Sequence, residues 1–408
     1  MLSKELKEFI RQNSEGELDK IILSSGKYPG IDTKLAATII DARRRLRTKV
    51  PDWADNVDLI FINSTSIEQC SSDITAIHKQ KFSSGGIVAD LTGGLGVDSY
   101  YLSQNNKTLI YFERDPTLFN AVIYNFRKLN AANIIGFNTE SNYDTITKNF
   151  QIALNIESNP IVDLIYIDPS RRGGGNRRVL SIRDYEPDIT LMNDYLFKLA
   201  QRVLVKVSPM ADIKSLIHDC KNITTVDVLS VDNECKEILF LMERGCSVDF
   251  DNVTINAFNY IRNRGVAKIS FTPREERESI SSFADEHQMV YLYEPNSSIL
   301  KAGAFKFTGV KYNLNKIAQS THLYSSREYI ADFPGKIYII KEIADYCKKT
   351  IRNLKKIYPK ANIATRNFPL SPFDLKSLLK VEDGGNITIV GCTLNNGAKK
   401  LVICSRVL

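Results

Sequence analysis

The sequence contains no apolar run approaching the roughly 18 residues that a membrane-spanning helix needs. Residues 1–7 form a polar helical pattern and lack the apolar core of a secretory signal peptide. The seven cysteines stand singly, with no Cys-x-x-Cys pair, and the four histidines lie far apart. A disulfide framework and a zinc cluster are therefore not expected. We predict a cytoplasmic protein with reduced thiols, no bound metal and no membrane partner.

Charge is nearly balanced over most of the chain and becomes one-sided near the C-terminus. Of the net charge of +7, residues 326–408 carry +8, from 15 Lys and Arg against seven Asp and Glu, which leaves about −1 for the remainder. A basic module joined to a neutral body indicates a polyanionic partner. The alternative is a solvated surface with an excess of lysine. A second basic cluster, residues 43–49, fits either a nucleic-acid contact or a helix end.

Hydrophobic periodicity divides the chain into four regions. Residues 1–80 show helical spacing, whereas short apolar runs alternate with helical patterns from 81 to 246, which is typical of a doubly wound α/β domain. Its seven predicted strands are 87–91, 108–113, 134–137, 163–168, 203–207, 226–231 and 237–243. Residues 247–325 and 326–408 are each predicted to form a small α+β module.

A nucleotide-cofactor site is predicted where the first two strands end. The first strand closes on Asp90, ahead of the turn Thr92-Gly93-Gly94-Leu95-Gly96, and the second closes on Glu113. Glycines let a backbone approach a ligand without a Cβ clash, and the N-terminus of the following helix presents N–H groups. An acid that ends the second strand can accept both hydroxyls of a ribose. A plain tight turn of the same composition is the alternative.

The position of the first acid separates two cofactor classes. Dinucleotide enzymes use G-x-G-x-x-G, whose middle glycine admits a pyrophosphate. Here Asp90 precedes Gly94 and Gly96, and its negative charge would oppose a pyrophosphate in the same turn. The carboxylate instead suits a ligand with an ammonium group, and S-adenosylmethionine (SAM) carries one together with a ribose for Glu113. We therefore expect SAM, with a dinucleotide as the more distant alternative.

The third and fourth predicted strands end on further polar groups. Asn138 and Glu140 follow the third strand, where they can meet an adenine edge or serve as ordinary loop residues. The fourth strand ends on Asp168-Pro169. A carboxylate there can accept hydrogen bonds from an amino group and orient its lone pair, or it can simply cap a helix. The arginine- and glycine-rich segment 170–178 that follows suits phosphate groups.

These motifs resemble those of a known class of enzymes. Asp90 with its glycines, the segment 113–116 and Asp168-Pro169 resemble motifs I, II and IV of class I SAM-dependent methyltransferases. Their spacing is similar to that of RNA-cap trimethylguanosine synthases and of N-methyltransferases of rRNA bases. The chain also resembles a bacterial family of proposed methyltransferases with a ferredoxin-like module and a C-terminal THUMP-like domain. The segments that carry this second likeness are 168–172, 184–188, 206–210, 365–370 and 383–385.

The resemblance implies a Rossmann-like class I methyltransferase with a seven-stranded sheet, preceded by a helical region and followed by the two α+β modules. It implies catalysis at Asp168 and Pro169. The cofactor contacts that we expect are Asp90, Thr92, Gly94, Gly96, Glu113, Asn138 and Glu140. Because THUMP domains are implicated in binding structured RNA, tRNA or rRNA is the expected partner. The candidate RNA contacts are Ser170, Arg171, Arg172, Arg177, Arg178, Lys355, Lys356, Lys360 and Arg366.

One departure from the pattern leaves the acceptor open. N-methyltransferases of bases usually carry Asp/Asn-Pro-Pro-aromatic, whose ring stacks on the target base, whereas Ser170 and Arg171 occupy the last two places here. A guanidinium plane can also stack on a base. Two alternatives therefore stay open: a SAM- and RNA-binding protein without catalysis, and a methyltransferase of a protein or small molecule.

Overall fold

The computed structural model describes residues 2–62, 64–158, 160–171 and 182–407. It divides into two compact units, one of residues 1–224 and 238–248 and the other of residues 225–237 and 249–408. Within the described ranges, none of the helices combines the length and apolar character that crossing a bilayer requires.

The first unit begins with six helices. Ser3, Asp32 and Ser72 cap the N-termini of three of them, α1 (Lys4–Gln12), α3 (Thr33–Leu46) and α6 (Asp73–Lys79). Apolar side chains of α1 and α3 form one buried cluster that includes Phe9 and Ile39. The helices are α1 (Lys4–Gln12), α2 (Leu18–Leu23), α3 (Thr33–Leu46), α4 (Pro51–Asp55), α5 (Ser64–Gln69) and α6 (Asp73–Lys79).

The basic cluster at the end of α3 has a structural role. Arg43 is buried and donates to the carbonyl oxygens of Asn56 and Leu59, at 3.1 and 3.3 Å. Arg44 donates to the carbonyl oxygens of Ser14 and Gly16, at 2.8 and 2.5 Å. These guanidinium groups satisfy backbone oxygens of the surrounding turns, so they hold the N-terminal helices together.

All seven predicted strands exist, with ends within three residues of the expected ones. They are β1 (Ile87–Asp90), β2 (Thr108–Glu113), β3 (Ile134–Asn138), β4 (Val162–Ile167), β7 (Ala200–Val207), β8 (Ile223–Val231) and β9 (Glu234–Glu243), with the two-residue strands β5 (Ser170–Arg171) and β6 (Tyr185–Glu186) between β4 and β7. The alternating helices are α7 (Val97–Gln104), α8 (Pro116–Lys128), α9 (Tyr143–Leu154), α10 (Ile189–Leu199) and α11 (Ile213–Asp219).

The strand order places the candidate residues on neighbouring strand ends. Within the first unit the order is β3-β2-β1-β4-β7-β9, parallel except for the antiparallel β9. The order reverses at β1, which lies between β2 and β4, and ligands bind at such a switch point beyond the carboxyl ends of the strands. Asp90, Glu113 and Asp168 stand at the ends of these three strands.

In the second unit, β8 pairs in parallel with β10 (Thr254–Ile261), which pairs with the antiparallel β11 (Gly265–Phe271). The sequence patterns did not predict β10, because two asparagines interrupt its apolar residues. Both asparagines are buried, and the Nδ2 group of Asn256 donates to Asp227 Oδ1 on β8 at 2.7 Å. The buried amide is thus satisfied by a side chain on the adjacent strand.

A seven-stranded sheet joins the two α+β modules that the sequence predicts separately. Its order is β13-β14-β12-β15-β18-β17-β16. The elements are α12 (Pro273–Glu278), β12 (Tyr291–Pro295), α13 (Ser297–Ala302), α14 (Phe305–Lys311), β13 (Asn315–Ala318), β14 (Thr321–Ser326), β15 (Gly335–Asp345), α15 (Lys348–Ile357), β16 (Asn362–Arg366), α16 (Pro372–Leu379), β17 (Ile387–Thr393) and β18 (Lys399–Arg406).

Candidate active site

A cavity of about 620 Å³ lies at the carboxyl edge of the sheet in the first unit. Its lining includes the turn after β1, the end of β2, the loop after β3, the end of β4 and the start of α10. The helical N-terminal region supplies a further wall through residues that the sequence did not mark as candidates: Thr65, Ser66, Gln69, Cys70 and Ser71.

Asp90 is buried and fixes the conformation of the glycine turn through hydrogen bonds. Its side chain is 1% exposed, and its Oδ1 accepts a hydrogen bond from the Thr92 N–H at 3.0 Å. Its Oδ2 accepts another from the Ser99 hydroxyl at 2.6 Å. Burial raises the pKa of Asp90 to about 7, against the opposing effect of these hydrogen bonds. A negative charge here is therefore costly unless a cation compensates it.

Close packing accounts for two of the glycines in the turn. Gly96 has φ +80° and is the N-cap of α7, and a Cβ there would lie 2.6 Å from the ring of Phe126. A Cβ at Gly93 would lie 2.0 Å from the ring of Tyr111. The Tyr111 hydroxyl in turn donates to the carbonyl oxygen of Gly94 at 2.7 Å. The turn therefore packs closely against β2, and a larger residue at Gly93 or Gly96 would displace it.

Glu113 faces the cavity from the end of β2 and is bound to the same turn. Its Oε2 accepts a hydrogen bond from the Gly94 N–H at 3.0 Å, and its Oε1 accepts one from the Asp115 N–H at 2.8 Å. A carboxylate offers about four lone-pair positions, so these two bonds leave capacity for two hydroxyl groups. This geometry fits the expected ribose contact.

Of the two candidates for the adenine edge, Glu140 lines the cavity. Asn138 points elsewhere, because its amide donates to the carbonyl oxygens of Glu113 and Arg114 at 2.8 and 3.2 Å. These bonds give Asn138 a role in holding the loop after β2.

Thr92 connects the glycine turn to the end of β4. Its Oγ1 accepts a hydrogen bond from the Asp168 N–H at 2.6 Å, while its own N–H is held by Asp90. Asp168 lines the cavity with a side chain that is 33% exposed, and its Oδ2 lies 2.5 Å from the Nζ of Lys206. Burial raises the pKa of Asp168, while Lys206 opposes this effect. Pro169 is buried next to it, which stiffens the backbone at this point.

Lys206 was not predicted as a site residue, although it lies in one of the segments that carry the family resemblance. Three residues that lie behind Asp168 were not predicted either: Ser71, Lys79 and Asp98. The Lys79 Nζ is 3.0 Å from Asp98 Oδ1, and the lysine side chain has no exposed surface. No local pattern marks these residues, because their partners come from distant segments of the chain.

The substrate-side candidates are only partly described. Ser170 is exposed, lines the cavity and pairs with Glu186 between β5 and β6. Arg171 is the second residue of β5, and its backbone pairs with Tyr185. The predicted contacts Arg172, Arg177 and Arg178 lie outside the described residues.

An aromatic ring stands at the rim of the cavity. Tyr143 lines it with 48% of its surface exposed, and its ring lies 4.6 Å from that of Tyr195, edge to face. Its hydroxyl donates to the carbonyl oxygen of Leu191 at 3.1 Å. This ring offers an aromatic surface in a site that lacks the usual aromatic residue after Asp-Pro.

The C-terminal candidates lie in the second unit. Lys355, Lys356 and Lys360 are exposed, the first two on α15. The guanidinium of Arg366 forms an ion pair with Glu294, a side chain that is 8% exposed. This pairing connects β16 to β12, so the geometry indicates a structural role for Arg366.

The comparisons with known proteins agree with this architecture. A family model of a ferredoxin-like domain matches residues 291–334, and a THUMP domain-like model matches residues 335–406. No curated protein matches the chain. A solved structure of a "putative methyltransferase" from Porphyromonas gingivalis W83 has a TM-score of 0.88 and 31% identity. That similarity covers 99% of this chain and 98% of that one.

Two smaller proteins in complex with S-adenosylhomocysteine (SAH) are similar to only part of the chain. TrmK of M. capricolum is 13% identical over 43% of this chain and 70% of its own, with a TM-score of 0.31. SMU.1697c of Streptococcus mutans, described as a "putative methyltransferase", is 15% identical over 42% and 96%, with a TM-score of 0.30.

The full-length similarity to the P. gingivalis protein confirms the predicted fold class. Class I methyltransferases use SAM as their cofactor, and the glycine turn, Glu113 and the cavity fit that ligand. The chain therefore belongs to the bacterial family of proposed class I SAM-dependent methyltransferases with a ferredoxin-like module and a C-terminal THUMP-like domain.

Proposed function

We propose that this protein uses SAM to methylate a base nitrogen of a structured RNA, either tRNA or rRNA. The observation that carries the proposal is the meeting of the glycine turn, Glu113 and Asp168 around one cavity. Separate strands contribute these groups, and a carboxylate for an acceptor amine lies beside the groups that suit a ribose and an ammonium.

The cofactor would be held by the turn and the adjoining strand ends. Gly94 leaves the turn open to its methionine end, and Gly96, whose missing Cβ makes room for Phe126, lines the same cavity, with Asp90 beneath the ammonium and Glu113 on the ribose. Glu140, which lines the cavity, would meet the adenine edge. When bound, SAM supplies a methyl group on a positively charged sulfur, which is open to attack by a nitrogen lone pair.

The acceptor would be held by Asp168 and by the aromatic rim. Asp168 accepts a hydrogen bond from the acceptor N–H, and this fixes the direction of the nitrogen lone pair. Tyr143 offers its exposed ring for stacking on the base, and such stacking contributes about 1–3 kcal/mol per base. Tyr143 would thus take the part of the aromatic residue that the 170–171 positions lack.

The THUMP-like domain supplies a basic surface for the RNA. Helix α15 carries five exposed cationic residues within ten positions: Lys348, Lys349, Arg352, Lys355 and Lys356. Two of them stand in the first turn, where the helix dipole disfavours positive charge. Phosphate groups of a bound RNA would offset both this cost and the mutual repulsion of the lysines.

The direct test is transfer of labelled methyl groups from SAM to total RNA from a strain that lacks this protein. We expect label in one discrete RNA band, and nucleoside analysis will then identify the atom. Absence of label, with SAM binding shown by calorimetry, would contradict RNA methylation. It would favour a non-catalytic RNA-binding protein, which the residues Ser170-Arg171 also suit, or a different acceptor.

Neutralising two lysines of α15 tests the docking surface. The variant Lys355→Gln/Lys356→Gln is expected to bind RNA roughly tenfold more weakly at about 0.1 M salt, with a salt slope reduced by about 2, because each phosphate contact releases a counterion. Fluorescence anisotropy with the RNA that the transfer assay identifies as the substrate measures both quantities at several salt concentrations.

The matched control is Lys214→Gln/Lys221→Gln, which removes the same charge from exposed positions at or just after α11 in the first unit. This control should retain wild-type affinity and slope. Equal losses in both variants would show that net charge alone governs binding, and α15 would then have no special role.

A further inference from the structure

Charged side chains from three elements meet behind Asp168, away from solvent. Lys79 on α6 is fully buried, and its Nζ lies 3.0 Å from Oδ1 of Asp98, in the first turn of α7. Lys206, at the end of β7, is 11% exposed and lies 2.5 Å from Asp168 Oδ2. The cluster thus contains two cations and two carboxylates, so the buried charges balance.

Ser71 connects the two ion pairs. Its hydroxyl donates to Asp98 Oδ2 at 2.8 Å and accepts from the Nζ of Lys79 at 3.0 Å. The Nζ of Lys206 lies 3.5 Å from the hydroxyl oxygen of Ser71. The Tyr166 hydroxyl also donates to Asp98 Oδ2, at 2.8 Å. The hydroxyl of Ser71 therefore holds Lys206 between the buried pair and Asp168.

The two carboxylate oxygens of Asp168 differ in their contacts. Oδ2 is engaged by Lys206, whereas no hydrogen bond to Oδ1 is formed by the described residues. The carboxylate is therefore kept in one rotamer, with one oxygen left for a ligand. Without a fixed cation, the carboxylate could rotate, and a misplacement of about 1 Å is enough to reduce a rate about 100-fold.

We propose that Lys206 is a positioning residue, which holds Oδ2 of Asp168 so that Oδ1 meets the acceptor N–H, and that Ser71 and the Asp98–Lys79 pair hold Lys206. The inference rests on the proposed function for the identity of the acceptor. It makes the helical N-terminal region part of the active site, because Ser71 and Lys79 both come from it. No part of the family resemblance points to these two residues.

A carboxyl titration tests the linkage without any substrate. The full chain is labelled with ¹³C at the aspartate carboxyl carbons, and the Asp168 signal is assigned with Asp168→Asn. The charged groups that face Asp168 are Lys206, Lys79, Asp98 and Asp90. In Lys206→Met the titration midpoint of Asp168 should rise by about one pH unit or more, since a cation that favours the ionised form is lost.

Matched variants separate position from charge. Lys206→Arg should bring the midpoint back toward that of the wild type, and Ser71→Ala should raise it by less than Lys206→Met does. Lys198→Met, at an exposed site on α10, should leave it unchanged. An identical midpoint in the wild type and Lys206→Met would overturn the proposal. Ser71→Ala keeps the test available if Lys206→Met does not fold.

The transfer assay tests the positioning role itself. We expect Lys206→Met to lower kcat for RNA methylation roughly 10- to 100-fold with unchanged SAM affinity, and Lys206→Arg to recover part of the loss. An unchanged kcat together with a shifted titration would overturn positioning. If the wild type methylates no RNA, the proposed function fails, and the titration still decides whether Lys206 controls Asp168.

Discussion

Replacing Asp168 with alanine is expected to lower the rate of methyl transfer at least about 100-fold, while SAM affinity stays within about twofold. The carboxylate is the group at the end of β4 that can accept a hydrogen bond from the acceptor, and it lies on the cavity wall beside the glycine turn. Single-turnover transfer to the RNA substrate measures the rate, and calorimetry with SAM measures the affinity.

Three variants control for indirect effects of this substitution. Asp168→Asn keeps an acceptor oxygen and should retain more activity than Asp168→Ala. The double variant Asp168→Ala/Lys206→Met removes the cation that would otherwise lose its partner, so it should regain stability without regaining activity. Asp194→Ala, at an exposed carboxylate on α10, should behave as the wild type. Wild-type transfer by Asp168→Ala would refute the role assigned to this residue.

Replacing Asp90 with asparagine is expected to weaken SAM binding about tenfold at pH 7.5, equivalent to about 1.4 kcal/mol. Asparagine can still accept from the Thr92 N–H and can donate to the Ser99 hydroxyl, so the turn should keep its shape. What is lost is the negative charge beneath the ammonium of the ligand. Calorimetry measures the affinity, and Asp90→Ala is the harsher variant, since it also removes both hydrogen bonds.

The raised pKa of Asp90 also predicts how the affinity for SAM should change with pH. Burial raises the pKa of Asp90 to about 7, with Asp98 and Asp168 as the nearby charges that add to the shift. Below pH 7 the carboxyl group becomes protonated and neutral, so wild-type affinity should fall. Above about pH 8 the α-amino group of SAM loses its own proton, and affinity should fall again. Asp90→Asn should lack the acidic limb, and identical profiles would contradict the assigned contact.

Asp90→Asn should weaken SAM binding but increase the stability of the protein without ligand. Because the pKa of Asp90 is raised on folding, the stability present below pH 4 is lost as the pH rises through 7 and the buried group ionises. Asp90→Asn never ionises. Its Tm should therefore exceed that of the wild type at pH 8 by several degrees, and by less at pH 5, in scanning calorimetry without ligand. A smaller gain at pH 8 than at pH 5 would contradict a buried, raised-pKa carboxyl.

Much of the α/β core could be predicted because its signals are local. Strands covered on both faces are nearly continuous apolar runs, so β1, β2 and β4 were identified within one residue of their ends. The acids that close these strands share one edge by the rules of parallel sheets, and this brought Asp90, Glu113 and Asp168 to one cavity. A glycine-rich turn has its own composition, which made this turn recognisable as a candidate cofactor site.

The roles of isolated polar residues could not be predicted, because their partners lie far away in the chain. Ser71 and Lys206 are separated by 135 positions, and Glu294 and Arg366 by 72. In the sequence, nothing distinguishes Arg366 from the lysines of α15 as a candidate RNA contact, yet it forms a structural ion pair. Asn256 likewise gives no sign that it occupies a buried strand opposite Asp227.

Periodicity, strand ends and glycine spacing are properties of neighbouring residues, so the amino-acid sequence alone was enough for the class of fold and for a candidate cofactor turn with an acid at its centre. The free energy of a buried charge depends on the groups within a few ångströms of it, and these come from distant segments. Only the folded chain therefore showed that Lys206, Ser71 and Lys79 stand behind Asp168, and that the N-terminal helices form a wall of the site.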